Sequence, residues 1–431
     1  MATFASILFV VLFGVMLIVI ALGGIAAIGT FAVTAVWSLV SGDRVPLSYN
    51  LRNLVVRKKT TVAAGIGVAF VVLVLAAALM LSAGVQETMG ASGNTDVAMV
   101  IRKGADSEMA SSIDSVSVGM IMAAPGGKKD SKGAPLGVGE VVIVISKEKV
   151  GGEGMSNLMV RGVPDNVMAF RPEIRIVDGR PAKPGTDEAI VGARVRGRFA
   201  GIELGQTFEL RKGRNATVVG VFEAAGASYE SEAWLDVDTL RSTFGREGVV
   251  SSVRVKLDSA SAYDGFNAFV TQDKQLGFEA MRETEYYAKQ SQATAMLISY
   301  LGALIAFLFS LAAMIGATIT MYSSVSERQR EIGTLRALGF SRRAILFGFQ
   351  MESFVLAMAG GAVGLLGAMA LGSVKVSMIN FQTWSELVFR FHATPGVLVK
   401  SLLGAAVMGL LGGFLPAVRA ATISAIKAMR D

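Results

Sequence analysis

"VAAGIGVAFVVLVLAAALMLSA" occupies residues 62–83. None of its side chains is charged, and about 20 apolar residues is what a helix needs to cross the hydrocarbon core of a bilayer. The stretch is the centre of a longer uncharged run, 60–86, and four other runs resemble it. Residues 1–42 carry no charge, and neither do Gln290–Ser326. Ala344–Val374 is interrupted only by Glu352, and Ser401–Val418 has Lys400 at its edge. Core helices of soluble proteins rarely run to such lengths without charge, so the chain reads as a polytopic helical membrane protein.

The composition agrees. Of 431 residues, 52% are hydrophobic and 17% charged, where a soluble chain carries about a quarter charged. Cysteine is absent, which excludes disulfide and thiol chemistry. The single histidine, His392, makes a histidine metal site or a catalytic triad a poor reading. No convergent set of catalytic side chains points to a membrane enzyme.

Between the second and third apolar runs lies a polar insert, 85–290, long enough for one or two domains. It holds strand-like runs at 97–101, 140–146, 216–222 and 251–257, separated by turn signals such as Asp178-Gly179 and Pro184-Gly185. Helical pieces are expected near 104–112, 187–200 and 260–275. The insert therefore reads as a mixed α+β domain, with the Gly-rich loop 125–133 as a mobile connection.

Charge supplies the orientation. Segment 42–61 has five Lys or Arg and one Asp, segment 322–345 has five and two Glu, and the tail 416–431 has three and one. The insert has 25 basic and 28 acidic residues, a net of −3. By the positive-inside bias the three basic segments face the cytoplasm and the insert lies outside. The formal net charge of +7 is thus a topology signal rather than a nucleic-acid surface.

These readings divide the chain into an extra N-terminal membrane segment (1–41), a cytoplasmic amphipathic helix (42–61) and a first core span (62–84). The α+β domain with its stalk follows (85–290), then a second span (291–322) and a cytoplasmic charged segment (323–344). A third span (345–374), an outer loop (375–396), a fourth span (397–418) and a cytoplasmic tail (419–431) complete it. Leu47, Leu51, Leu54 and Val55 form the apolar stripe of the amphipathic helix, beside basic residues. The N-terminal run is too long for one crossing, since a helix of 41 residues would measure about 60 Å. One span over roughly 4–28 with its N-terminus outside is the preferred reading; a hairpin near Gly23-Gly24 and a cleaved signal peptide are the alternatives. Residues 277–295 read as a helix running straight into the second span, either a stalk or a simple linker. Small residues recur at Gly360, Gly364, Ala368 and Gly372, and at Ala405, Gly409 and Gly413. They suit close helix contacts, within this chain or between two copies.

"SERQREIGTLRALGFSRRAI" (326–345) stands between two spans with five Arg and two Glu. Wound as a helix over 326–339, it places Ile332, Leu335 and Leu338 on one side, with Glu327 and Glu331 in or beside that stripe. An acid in an apolar stripe suits a helix docking into a protein groove; an ordinary basic loop is the other reading. Gly339 and Ser341 mark the end of this helix and the cap of the next. Glu352 lies about 13 Å along the next helix from Arg343. It reads as a carboxylate near the cytoplasmic interface paired with an arginine, or else as a functional group in the membrane.

This segment resembles the signature of the MacB/FtsX-type ABC transporter permeases, the type VII mechanotransmission family that includes lipoprotein-releasing LolC/LolE-like proteins. The resemblance rests on Glu327, Arg328, Arg330, Glu331, Ile332, Gly333, Arg336, Ala337, Leu338, Gly339, Arg342, Arg343 and Ile345. Phe340 replaces the usual small residue. The layout over 48–431 is similar to that family, as is the stretch 190–222; the first 45 residues fall outside its four-span pattern. The resemblance implies four core transmembrane helices plus an extra N-terminal one, with a large α+β extracytoplasmic domain between the first two core spans.

What it further implies is a coupling helix, with Glu327, Arg328, Arg330, Glu331, Ile332, Leu335, Arg336, Leu338 and Gly339 forming the ATPase-coupling site. The partner would be a cytoplasmic ABC ATPase dimer that binds ATP and Mg. Other implied partners are a second permease copy or homologue, a periplasmic adaptor or carrier, and the bilayer of the inner membrane. The chain itself has no G-x-x-x-x-G-K-[ST] phosphate loop, so no cofactor and no catalysis of its own are expected. Two functions remain open: export or extraction of a lipoprotein, lipid, peptide or drug, and an FtsX-like signalling scaffold that controls a cell-wall hydrolase. The size of the insert leans toward the first.

Overall fold

The computed structural model describes residues 2–424 apart from 44, 47–51, 53, 55, 57, 152–153, 273–276 and 381, and side chains from residue 22 onward. Most of the amphipathic stripe, Leu47, Leu51 and Val55, lies outside the described residues. The chain separates into two compact units. One comprises residues 1–80, 298–373 and 393–431; the other comprises 81–297 and 374–392.

The first unit is built from long helices: α1 (Ala2–Ser41), α2 (Lys58–Gly90), α3 (Glu283–Glu327), α4 (Gln329–Ala337), α5 (Arg342–Ala370) and α6 (Pro395–Thr422). The N-terminal part of α2 and the C-terminal part of α3 belong to it, with α1, α4, α5 and α6. Among the described residues five helices are long and apolar enough to cross a membrane. α1 runs unbroken through Gly23 and Gly24, so the hairpin alternative does not form. It also continues well past residue 28, because no charge interrupts it and the Thr34, Ser38 and Ser41 hydroxyls donate to its own carbonyls, until Gly42, whose φ of 69° ends it. At α5 the Ser341 hydroxyl accepts from the Ala344 N–H (3.1 Å). Thr394 caps α6 in the same way, with Pro395 at the first helical position.

Small residues set the spacing of these helices. A Cβ on Gly361 would lie 2.5 Å from that of Ala405, and one on Gly409 the same distance from that of Ala357. Gly413 backs onto Ser353, while Gly360 and Gly364 back onto the α2 backbone at Gly65 and Ala69. The two small-residue stripes are thus spent within the chain, where close backbone approach gains dispersion contacts.

The second unit is a ten-stranded mixed sheet with short helices. Its strands are β1 (Val97–Arg102), β2 (Ile113–Asp114), β3 (Gly137–Glu148), β4 (Met155–Val163), β5 (Arg175–Gly179), β6 (Glu188–Gly192) and β7 (Thr207–Arg211). β8 (Arg214–Glu223), β9 (Glu232–Asp236), β10 (Val249–Val250), β11 (Ser252–Lys256) and β12 (Phe278–Arg282) follow. The order is β12-β1-β11-β3-β4-β9-β6-β8-β5, with β7 beside β8 and β2–β10 as a separate pair. The four strand-like runs of the sequence fall on β1, β3, β8 and β11. The helix expected near 260–275 is present as Tyr263–Gln272.

Two expected helices are absent. Residues 187–200 form β6 and then turns, because Glu188–Gly192 is wedged between β8 and β9 and buried. A run buried on both faces loses the alternation that marks a strand. Residues 104–112 contain only a single 3₁₀ turn, Glu108–Ala110, which delivers Glu108 to the interior. Residues 278–282 are strand rather than helix, pairing with β1, and α3 starts only at Glu283. The Gly-rich loop is tied at Gly127–Leu257 and Lys129–Pro135, and the Asp130 carboxylate accepts from the Lys132 and Ala134 N–H groups. The outer loop is ordered as well: β13 (Lys375–Ile379) and β14 (Glu386–Arg390) make an antiparallel hairpin.

A buried charge network sits inside this second unit. Arg161 on β4 reaches Glu232 (2.7 Å), Glu140 (2.7 Å) and Glu108 (3.0 Å). Arg254 on β11 reaches Glu140 (2.8 Å), Glu108 (2.9 Å) and Glu283 (2.9 Å), and Arg171 reaches Glu283 (3.0 Å). Tyr229 donates to Glu283, Tyr287 donates to Tyr229, and the Trp234 indole N–H donates to Glu232. Burial alone would raise the Glu108 and Glu140 pKa values, but the adjacent arginines outweigh it and hold both well below the usual carboxylate range.

Candidate functional site

Arg328 divides the charged segment. Its backbone (φ −104°, ψ 16°) leaves the helical region, ending α3 at Glu327, and α4 starts at Gln329. The expected single helix over 326–339 is therefore two pieces. Gly339, at φ 100°, closes α4 in a conformation that L side chains rarely adopt. The Phe340 N–H donates back to the Leu335 carbonyl, and the Arg336 guanidinium donates to the Phe340 carbonyl (2.9 Å).

One side of this segment belongs to the interior of its unit. Arg328 Nη1 lies 3.0 Å from Glu352 Oε2, and its Nε lies 3.3 Å from Glu331 Oε2. Its guanidinium carbon also stands 4.9 Å from the centroid of the Phe349 ring. Ile332, 1% exposed, packs with Met321, Val325, Ile345, Phe349, Ala417 and Ala420. The sequence placed Arg328 and Ile332 in the partner-facing set; the structure turns both inward. The reason is the phase of the helix: Met321, Val325, Arg328 and Ile332, at spacings of four, three and four, share one buried face. That face also gives Glu352 a partner different from Arg343, the arginine nearest along its own helix. Glu352 lines a small pocket with Thr60, Thr61, Thr320 and Ser324 among apolar side chains that include Leu54, Met321 and Leu356.

The other side is open. Glu327, Arg330, Thr334, Leu338 and Gly339 are exposed, and the Glu331 side chain is 55% exposed. Leu335 and Arg336 are half-buried. The face is charged and of mixed sign, with Leu338, 72% exposed, as its apolar projection. Among the described residues no cluster of three or more His, Cys, Asp or Glu could hold a metal ion.

A helical unit with apolar helices of membrane length, an α+β domain inserted after α2, and an exposed charged helix between α3 and α5 together define a membrane protein with a periplasmic-type domain. Comparison with known proteins gives the family. Residues 60–272 match the MacB-like periplasmic core domain, and residues 303–425 match the FtsX-like permease C-terminal domain. The chain is an ABC transporter permease of the MacB/FtsX type. It is 31% identical over 230 residues to the uncharacterised ABC transporter permease YknZ of Bacillus subtilis, which covers 51% of this chain and 55% of that protein. It is 24% identical over 218 residues to the macrolide export ATP-binding/permease protein MacB of Escherichia coli, covering 49% and 33% respectively. The chain thus spans about half the length of YknZ and a third of that MacB. Among solved structures, the extracellular domain of YknZ from Gram-positive bacteria aligns with 43% of this chain and 100% of that one. The TM-score is 0.33 and the identity 16%. The periplasmic region of MacB from Actinobacillus actinomycetemcomitans aligns with 47% and 94%, at a TM-score of 0.35 and 12% identity. Neither matched family region includes α1.

The expected pairing of Glu352 with an arginine is present, but which arginine it is and the part of Asp43 lay beyond sequence reasoning. Arg328–Glu352 joins residues 24 positions apart on different helices, and periodicity reports only neighbours on one helix. Asp43, whose carboxylate accepts from the Ser341 N–H (3.2 Å), follows a run that reads only as apolar.

Proposed function

We propose that this permease couples ATP hydrolysis by a separate cytoplasmic ATPase dimer to movement of its outer α+β domain. The observation that supports this is the two-sided character of α4. Ile332 and Arg328 root it in the core of its unit, while Glu327, Arg330, Glu331, Thr334 and Leu338 are exposed on its other side. A helix so rooted transmits a push on its exposed side to α5 and α6 instead of bending away. Glu331 is the anchor acid of the docking face, and Arg330 and Arg336 support it. Arg328 and Ile332 act from inside, holding the helix. ATP and Mg are bound by the partner, and two permease chains assemble with two ATPases in the inner membrane. The cargo class is a lipoprotein, lipid, peptide or drug, taken up on the outer side with a periplasmic adaptor or carrier. The match to a MacB-like periplasmic core domain favours this over control of a cell-wall hydrolase.

Glu331→Lys tests the reading. The variant reverses the charge on the exposed face and also removes the contact to Arg328 (3.3 Å), so Glu331→Gln, which loses that ion pair without adding a cation, is the control for folding. Glu331→Lys is expected to abolish permease-stimulated ATP hydrolysis, or assembly with the ATPase, at unchanged membrane insertion. Stimulation equal to wild type would overturn the coupling role of α4.

A further inference from the structure

α1 is outside both matched family regions, yet its C-terminal half is packed onto α5, the helix that follows the coupling segment. Phe31 stacks between Phe347 and Phe354 of α5, with ring centroids 5.6 Å away in each case. Gln350 donates its side-chain N–H to the Ala27 carbonyl (3.3 Å), and Ala27 is fully buried. Arg343 in the first turn of α5 lies 5.6 Å from the Trp37 ring centroid. Just past the end of α1, the Asp43 carboxylate accepts from the Ser341 N–H at 3.2 Å. Ser341 is the cap of α5 and stands two residues after Gly339, where α4 ends.

These contacts form a continuous line along α5, from Phe354 to the cap, and they end at the turn joining α4 to α5. Gly339 makes that turn intrinsically pliant. Asp43 restrains it by taking a backbone N–H that the helix itself leaves unsatisfied, with a charge of the favourable sign for a helix N-terminus. We propose that α1 is a fifth, built-in element of the relay, and that Asp43 is a positioning residue that holds the α4–α5 turn in register. This rests on the reading of α4 as the coupling element. With the restraint in place, displacement of α4 is carried into α5; without it, the turn at Gly339 absorbs the displacement.

The absence of cysteine allows a direct test on the full chain in lipid nanodiscs. A nitroxide on Leu338→Cys reports the mobility of the turn. Asp43→Ala is expected to raise the mobile fraction about tenfold, the scale of one lost hydrogen bond to a charged group. Asp43→Asn, which keeps an acceptor oxygen, is expected to restore most of the order. In unlabelled chains paired with the cognate ATPase, Asp43→Ala should lower stimulated turnover while leaving ATPase affinity unchanged, and Asp43→Asn should recover it. A spectrum unchanged in both Asp43→Ala and the Trp37→Ala/Asp43→Ala double variant overturns the proposal. So does full stimulation by Asp43→Ala. The label measurement scores the restraint whether or not an ATPase engages, so failure of the coupling reading is visible separately, as absence of stimulation by the wild-type chain.

Discussion

Arg328 and Glu352 face each other with 5% and 4% of their surfaces exposed, so each depends on the other for its charge to be tolerated. Removing one partner weakens the compensation of the other, a loss of at most about 3–5 kcal/mol for a buried pair. Arg328 retains Glu331 and the Phe349 ring, so the Glu352→Ala variant should fall at the lower end of that range. The expected outcome is a double-mutant cycle in detergent in which Arg328→Ala and Glu352→Ala each lower the melting temperature. Together they should cost less than their sum, with an interaction energy on the order of 1–3 kcal/mol. Strict additivity would mean that the two carry no mutual stabilisation. The charge network of the outer domain makes a second residue-scale prediction. Glu108 and Glu140 have folded pKa values below the ordinary 4.5, so their contribution to stability is complete above that pH. It is lost as pH falls from about 4.5 toward the depressed folded values. Unfolding followed by the buried Trp234, which donates to Glu232, should therefore be insensitive to pH between about 7 and 5 and weaken only below that. Arg161→Gln should move the onset of acid unfolding upward.

At the scale of elements, the membrane helices were legible because uncharged runs of this length have no other physical use, and β1, β3, β8 and β11 because their β-branched runs end at turn residues. β6 was not legible, since a strand covered by β8 and β9 carries no polar alternation. Nor was the hairpin β13–β14, read as a loop because its few residues lie between two dominant apolar signals. Its partners are distant in sequence. Glu386 receives a hydrogen bond from Ser156 (2.6 Å) and ion-pairs with Lys149 (3.3 Å) and Arg198. Arg194 donates to the Val388 carbonyl (2.8 Å), and Asn157 donates to that of Trp384 (2.7 Å). Burial would raise the Glu386 pKa, but Ser156 and Arg198 keep it below the usual range, so it is ionised and anchored at neutral pH. Glu386→Ala should free the hairpin: hydrogen exchange over 375–390 is expected to accelerate by roughly tenfold or more, with the rest of the sheet unaffected. Unchanged exchange would show that the backbone contacts at Val388 and Trp384 suffice to hold it.

For the whole molecule, α2 and α3 each contribute residues to both units, and the chain enters the outer domain again through the hairpin. The layout of spans and insert could be read from charge and hydropathy. The inward turn of Arg328 and the part played by α1 could not, because both depend on which helices meet. The reading as a permease driven from the cytoplasm requires α4 and the outer domain to lie on opposite sides of the bilayer, as the basic excess of 322–345 and the net −3 of the insert imply. Because the chain has no cysteine, two single-site variants settle this without background. Leu338→Cys sits at the exposed end of α4, and Lys212→Cys at an exposed turn between β7 and β8. A membrane-impermeant maleimide should label Lys212→Cys on intact spheroplasts and reach Leu338→Cys only after the membrane is opened. Equal labelling of both in intact cells would place α4 outside and remove the physical basis for an ATPase partner. With the expected pattern, Glu331→Lys and Asp43→Ala act on the cytoplasmic input, whereas Glu386→Ala acts on the outer side. Asp43→Ala should then lower stimulated ATP turnover, and Glu386→Ala should leave ATPase binding intact.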